Sequence, residues 1–356
     1  MDPLVIKSFI DNPQRWDATN ESILKKPFLH ISQQRGKKFR TRLIDIFNQI
    51  YQLPDQVLTT LSQIIEILHN ASLMIDDIED NSLLRRGVKT SHLVYGIPMT
   101  INSANYMYFV AMNLIPKLII QNNKNVNTNV NMNINGKSLS TNHIQIQLYR
   151  IFNEEICNLH RGQGMDIYWR DANVIPTEEM YMNMVINKTG GLFRLTIRLM
   201  ETLFTFYTGH NIENSMIPIC ELLGIIYQIR DDCLNLSDET MTMNKGFAED
   251  ITEGKLSFPI IHGLNYEKMN ISEKNRFLHN TIISKTSNID VKLKVVKFLK
   301  DESESLDYSK DTIKNLTIIL KKQLQTFSTK YYESNISNDQ DFLSPLYSII
   351  DYLSSF

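Results

Sequence analysis

The chain has 356 residues, enough for one large domain or two, and its 42% hydrophobic content can fill a sizeable core. Only 13 glycines and 10 prolines, beside abundant Leu, Ile, Met, Lys and Gln, favour helix over sheet. A formal net charge of −2 gives no footprint for nucleic acid, and Cys157, Cys220 and Cys233 form neither a CxxC pair nor a disulfide framework, so reduced thiols in a cytoplasmic protein are expected.

The opening segment Met1-Asp2-Pro3-Leu4-Val5-Ile6-Lys7 lacks a basic stretch followed by a long apolar core, so no signal peptide is expected. A basic set, Gly36-Lys37-Lys38-Phe39-Arg40, comes next. Leu61, Ile64, Ile65, Leu68, Ser72 and Ile75 recur at helical spacing and predict an amphipathic helix running into Asp76-Asp77-Ile78-Glu79-Asp80. On a helix, positions i and i+4 share a face, so Asp76 and Asp80 point the same way, with His69 two turns earlier on nearly the same face. A tight group of carboxylates repels itself unless a cation sits among them. Oxygen-only ligands favour Mg²⁺, which commonly bridges carboxylates to the phosphate oxygens of a substrate. Arg85-Arg86 follow shortly after. Such charges can pair on a solvated face. A diphosphate bridged by Mg²⁺ to aspartates, however, has further oxygens to satisfy, and arginine supplies bidentate donors for them.

The longest apolar stretch, Tyr106 to Ile120, is interrupted by Asn113, Pro116 and Lys117 and is too short and broken to span a bilayer. Residues 122–136 carry Asn at almost every second position and predict a poorly ordered surface loop. Neither His69 nor His160 has His or Cys partners at zinc-binding spacing. Ile186 to Phe206 and Cys220 to Leu236 read as helices with broad apolar faces, which belong in the middle of an all-α bundle. The first contains Lys188-Thr189-Gly190-Gly191. Paired glycines cost a helix about 1 kcal/mol each relative to Ala, so they suit a place where another helix or a substrate approaches the backbone. The second runs into Asp231-Asp232-Cys233-Leu234-Asn235, which repeats the i, i+4 spacing, and Lys245 and Lys255 follow. A polar break at Asn335 to Asp341 precedes a last apolar piece, Phe342 to Phe356. No run of alternating strands with hairpin turns is evident.

The segment from His69 through the acidic cluster to Gly87 resembles the first aspartate-rich motif of trans-prenyltransferases. INSANY (101–106), GQGMDIYWRD (162–171), KTGGLF (188–193), QIRDDCLN (228–235) and EDITEGKLSFPIIH (249–262) fall in the order expected of the eukaryotic geranylgeranyl diphosphate synthases of that family. The resemblance implies one all-α domain over residues 1–356, an isoprenoid synthase-type helix bundle around a central substrate cavity, with the Asn-rich segment a loop insertion. It implies a Mg²⁺-dependent condensation of isopentenyl diphosphate with an allylic diphosphate, and a homodimer or higher homo-oligomer. Carried over by motif, Asp76, Asp80, Asp231 and Asp232 would hold Mg²⁺. Arg85, Lys188, Thr189, Gln228, Lys245 and Lys255 would contact the allylic substrate, and Lys37, Arg40, His69 and Arg86 the isopentenyl diphosphate. The tail would pass Ala71 and Ser72, small residues where shorter-chain members carry an aromatic, with Tyr108, Phe109 and His160 as candidates for the cavity floor. Asn235 stands where a strict DDxxD has Asp, as in the eukaryotic geranylgeranyl group, and is left out of the metal set.

A farnesyl diphosphate synthase would share these motifs and stop one unit earlier. A class I terpene cyclase would match Asp231, Asn235 and Glu239 at i, i+4, i+8, but its middle position wants Ser or Thr, and Lys37 and Arg40 would have no second diphosphate. A catalytically silent subunit would be expected to have lost acidic or basic motif residues, which this chain retains. Changing Lys37 or Arg40 to Ala should therefore raise KM for isopentenyl diphosphate more than KM for the allylic partner, measured by steady-state kinetics with each substrate varied in turn.

Overall fold

A computed structural model describes residues 2–11, 16–34, 39–120, 132–134, 137–139, 141–212, 214–237, 247–334 and 343–355. Among these residues there are sixteen α-helices. In chain order they are α1 (Pro3–Asp11), α2 (Ala18–Ser32), α3 (Phe39–Tyr51), α4 (Asp55–Glu79), α5 (Ser91–Tyr95), α6 (Ile97–Met112), α7 (Thr141–Asp171), α8 (Glu178–Lys188), α9 (Gly190–Thr208) and α10 (Ile217–Ser237). Then follow α11 (Glu249–Glu253), α12 (Phe258–Asn270), α13 (Phe277–Ser284), α14 (Ile289–Lys297), α15 (Ser305–Ser334) and α16 (Ser344–Ser354). The all-α expectation holds. No helix among the described residues is long and apolar enough to cross a membrane.

The apolar repeat of the sequence becomes the buried face of α4. Leu61, Ile64, Ile65 and Leu68 are all buried in one contiguous core that draws on α3, α7, α9, α10, α12, α15 and α16 as well. Each such side chain contributes on the order of 1.5–3 kcal/mol by leaving water. Helix α4 packs against α6 and α3, α7 lies on α8 and α9, and α10 is held between α9 and α15. Local signals start and stop several of these helices. Thr177 caps α8 by accepting from the Met180 amide, with Glu178 and Glu179 in the first turn where the helix dipole favours acids. Asn288 does the same for α14 by accepting from Asp290 and Val291.

Three expectations need correction. The stretch from Ile186 to Phe206 is two helices, because α8 ends at Lys188 and α9 begins at Gly190. Hairpins do occur. Strands β1 (Leu84–Arg85) and β2 (Val88–Lys89) pair antiparallel around Arg86 and Gly87, both at positive φ (54° and 80°), the signature of a type I′ turn. At the end of the Asn-rich segment, β3 (Met132–Ile134) pairs antiparallel with β4 (Lys137–Leu139). The rest of that segment, and the polar break at 335–341, lie outside the described residues.

Glycine explains the close packing beneath the Lys188 break. A Cβ on Gly162 of α7 would lie 2.9 Å from the Lys188 Cα and closer still to its amide nitrogen, and a Cβ on Gly224 of α10 would lie 2.9 Å from the Cα of Gly190. The helices α7 and α10 thus press the backbone of residues 188–190 from different directions. Gly162→Ala or Gly224→Ala should lower stability by about 1–3 kcal/mol through overpacking. Gly164→Ala, whose Cβ meets nothing within 4 Å, should be neutral or stabilising by about 0.5–1 kcal/mol. Denaturant midpoints of the three variants check both statements.

Candidate active site

Helix α4 ends in the first acidic cluster, and its side chains part in two directions. Asp77 is 1% exposed and accepts from the Arg85 Nε at 2.7 Å, with a second ion pair to the Arg85 Nη2. Arg85 also reaches Asp76 at 3.2 Å. Burial opposes the charge on Arg85, but Asp77 and Asp76 more than offset it and hold the guanidinium protonated well above its ordinary range. Asp76 and Asp80 turn the other way and stay partly open, at 22% and 15% side-chain exposure. Burial, followed by the neighbouring Asp76 charge, pushes the Asp80 carboxyl up to about 7 despite Lys188 and Arg170 nearby. Burial also raises Glu79 above the usual carboxylate range. The cluster holds more negative charge than its surroundings offset.

The two arginines of the hairpin are separated by the turn. Arg86 sends its Nη1 to the Ile31 carbonyl at 3.1 Å and the Gln34 carbonyl at 3.4 Å, at the end of α2. A non-glycine residue in the left-handed region costs about 1–2 kcal/mol, and these bonds hold it there. Arg86 therefore sits against the segment that leads to Lys37 and Arg40. Lys37 lies outside the described residues, and so does the side chain of Arg40. His69 is half-buried on α4.

Helix α7 supplies three groups that sequence reasoning quoted within a motif but gave no role. Gln163 donates to Glu79 at 2.7 Å and to Asp76 at 3.3 Å. Asp166 accepts from the Lys188 Nζ at 2.6 Å, and Lys188 also lies 3.7 Å from Asp76. Arg170 donates to Asp80 at 2.5 Å and to the Glu79 carbonyl at 3.1 Å. The signal that could have found them is their spacing: 163, 166 and 170 fall on one helical face.

The second acidic cluster ends α10. Asp232, 1% exposed, accepts four hydrogen bonds: from the Tyr181 hydroxyl at 2.5 Å, the Phe258 amide at 2.9 Å, the Gln228 amide at 2.9 Å and the Lys255 Nζ at 3.1 Å. A carboxylate has about four lone-pair sites. Asp232 is therefore filled by protein donors, which departs from the expectation that it shares a cation with Asp231. Asp231 itself is half-buried one residue earlier. Thr189 donates to the Gln228 carbonyl oxygen at 2.5 Å, so Thr189, Gln228, Asp232 and Lys255 form one chain of contacts. Asn235 accepts from the Asp250 amide at 3.1 Å and so anchors α11, where a carboxylate is not needed. Burial opposes the charges of Lys188 and Lys255, but surrounding aspartates, Asp166 among them for both, hold each ammonium above its ordinary range. Lys245 and Glu239 lie outside the described residues.

Of the residues expected along the tail path, Ala71 is buried with Met74, Ala104 and Met107, and Ser72 is half-buried with its hydroxyl on the His69 carbonyl. Tyr108 and His160 meet at 5.6 Å between ring centroids. Burial, followed by the charges of Glu79 and Asp76, raises the Tyr108 phenol above its ordinary range. Phe109 does not join them. It follows Tyr108 by one residue, about 100° around the helix, and is 60% exposed.

Among the described residues no three carboxylate, imidazole or thiol groups converge on one point. The oxygens of Asp76 and Asp80 instead stand a turn apart on one helix end, carrying excess negative charge. That arrangement fits Mg²⁺, which is commonly held by one or two carboxylates and completed by water and substrate phosphate.

The sequence model described as polyprenyl synthetase matches residues 21–299. A geranylgeranyl pyrophosphate synthase of Eremothecium gossypii is 44% identical over 344 residues, covering 97% of each chain. One from Metarhizium robertsii is 42% identical over 304 residues, covering 84% of this chain and 80% of its own, and one from Hericium erinaceus is 38% identical over 320 residues, covering 90% and 92%. With the aspartate-rich ends of α4 and α10 in the same helical frame, the chain belongs to the polyprenyl synthetase family.

Proposed function

We propose that this chain is a geranylgeranyl diphosphate synthase, condensing isopentenyl diphosphate with dimethylallyl, geranyl and farnesyl diphosphates to a twenty-carbon product. The observation that carries this reading is the pairing of Asp76 with Lys188 and Arg85, of Asp80 with Arg170 and of Asp232 with Lys255, with Asp166 bonded to the same Lys188. Two diphosphates need cations on one side and carboxylate-held metal on the other, and this site offers both. The catalytically silent alternative is disfavoured by the same residues, and a terpene cyclase by Arg86, which is set against the segment of Lys37 and Arg40.

In this reading Asp76, Asp80 and Asp231 hold Mg²⁺, which when bound neutralises the allylic diphosphate as a leaving group. Arg85, Lys188, Lys255 and Lys245 bind the remaining phosphate oxygens, with Thr189 and Gln228 orienting them. Asp232 fixes Lys255, Gln228 and Tyr181 in place. Preorganised donors of this kind are strongest where water is scarce, so the C–O bond ionises against fixed charge rather than mobile solvent. Lys37, Arg40, His69 and Arg86 hold the isopentenyl diphosphate while its double bond attacks the allylic carbon, and the proton lost passes to the departing pyrophosphate. A cytoplasmic homo-oligomer belongs to the same proposal. The apolar strip of Leu93, Val94, Ile97, Ile101 and Phe109, exposed on α5 and α6, gives self-association a surface.

Asp80 gives the metal reading a test in stability. Its folded value of about 7 lies above the ordinary carboxylate value of 3.8, so the folded state binds its proton more tightly than the unfolded chain. The resulting penalty is fully present above about pH 7 and disappears as pH falls towards 4. In chelator at pH 8, Asp80→Asn should raise the melting temperature by at least about 2 °C, and the difference should vanish near pH 4. The same variant should lose about a hundredfold or more in turnover with Mg²⁺. An Asp80→Asn protein with normal turnover would remove Asp80 from the site.

Chain length tests the rest. Each isoprene unit buries about five carbons, worth on the order of 4 kcal/mol, so elongation continues until the tail meets a floor. Ser72→Phe should shift the main product to fifteen carbons, and Tyr108→Ala or His160→Ala should lengthen it beyond twenty, read by sizing labelled products. An unmodified enzyme that stops at fifteen carbons would replace this reading with a farnesyl diphosphate synthase.

A further inference from the structure

Arg170 stands at the last turn of α7 with its whole guanidinium committed. Its Nη1 meets Asp80 at 2.5 Å, its Nη2 caps the Glu79 carbonyl at 3.1 Å, and its Nε meets Asp171 at 2.9 Å. Asp171 is in turn 3.3 Å from Lys285, which follows α13. The buried Trp169 precedes it, and a small cavity lined by Trp169, Asn173, Leu256 and Ile282 lies beside the Arg170 side chain.

We propose that Arg170 is the resident counter-ion of the first acidic motif: it neutralises Asp80 before substrate arrives and yields that carboxylate to the divalent cation that comes with the allylic diphosphate. The claim rests on the metal reading of Asp76 and Asp80 given above. Lys188 is bonded to Asp166 and lies 3.7 Å from Asp76, and Arg85 pairs with Asp76 and Asp77, so among the described residues Arg170 is the cation in direct contact with Asp80, while Lys188 acts on it from farther off. Arg170 is thus a positioning residue that acts through Asp80. The bland alternative is a structural brace between α4 and α7. The two differ in sign. A brace keeps Asp80 in its working orientation, so its loss leaves cation affinity unchanged or weaker. A competing charge lowers cation affinity, so its loss strengthens it.

Full-length chelated protein is titrated with Mn²⁺, and free Mn²⁺ is followed by electron paramagnetic resonance, with and without inorganic pyrophosphate. Arg170→Gln should bind Mn²⁺ at least about tenfold more tightly than the unmodified protein, since removing a unit charge a few ångströms from a divalent site relieves a repulsion of that order or more. Arg170→Lys, which keeps the charge, should stay within about threefold. The chelated Arg170→Gln protein should also melt lower than the unmodified one, and Mn²⁺ should restore the difference. A folded Arg170→Gln protein with equal or weaker Mn²⁺ affinity overturns the proposal. Should that variant not fold, Asp171→Asn carries the test with opposite sign. It frees Arg170 to act on Asp80 alone and should weaken Mn²⁺ binding, so an unchanged affinity overturns the proposal there too. If the unmodified protein binds no Mn²⁺ even with pyrophosphate, the metal reading itself fails, a result distinct from a failure of Arg170 alone.

Discussion

Several carboxylates have to share a small, partly desolvated space at the ends of α4 and α10, and most of the surrounding structure answers that repulsion. Asp77 is neutralised by Arg85, Asp80 by Arg170, Asp166 by Lys188 and Asp232 by Lys255. Each pair joins groups from different helices or turns, so balancing the charge also fixes how those elements meet. An unpaired buried charge costs several kcal/mol, and the helix ends could not stand this close without their basic partners. Burial holds the carboxyls of Asp80 and Glu79 above their ordinary range all the same, so their charged forms are costly there.

The carboxylates have unequal standing despite their adjacency in sequence. Asp77 and Asp232 are interior residues that aim arginine and lysine side chains, whereas Asp76, Asp80 and Asp231 remain accessible. Neighbouring helical positions differ by about 100° around the axis, so an Asp-Asp pair at a helix end sends one acid into the bundle and leaves the other partly accessible. The doubled aspartate thus combines an accessible oxygen with a buried anchor. The type I′ turn at Arg86-Gly87 performs a similar separation on the basic side, sending Arg85 to the acids and Arg86 to the end of α2.

Close backbone contact is the second device of the site. Lys188 and Thr189 lie where α8 stops and α9 begins, and the break is pressed by Gly162 and Gly224 from neighbouring helices. Below it, Arg194 of α9 holds Glu155 of α7 at 2.8 Å and reaches Glu221 of α10 at 3.2 Å, tying together the three helices that frame the break. The placement of Lys188 is in this way built into the core, where rotamers and backbone are fixed by packing.

The sequence by itself determined the helical class, the positions of α4 and α10, and the two acidic clusters at their ends. Those are properties of local periodicity and of residue type, which the chain carries whatever it packs against. It also led to the expectation that the paired glycines serve close approach, but a Cβ on Gly190 or Gly191 would meet nothing nearer than 3.7 Å, and the tight contacts belong to Gly162 and Gly224 on the neighbouring helices. Only the tertiary structure decided which aspartate faces inward, that Lys188 stands at a helix break, and that Phe109 is exposed while Tyr108 and His160 meet. Gln163, Asp166 and Arg170 were in view as letters of a motif, yet the partners of Gln163 and Arg170 in the first acidic cluster lie 84–91 residues away, and the Lys188 partner of Asp166 lies 22 away. A side chain's charge is written in the sequence; the charge that faces it is set by packing between distant helices, which no local pattern encodes.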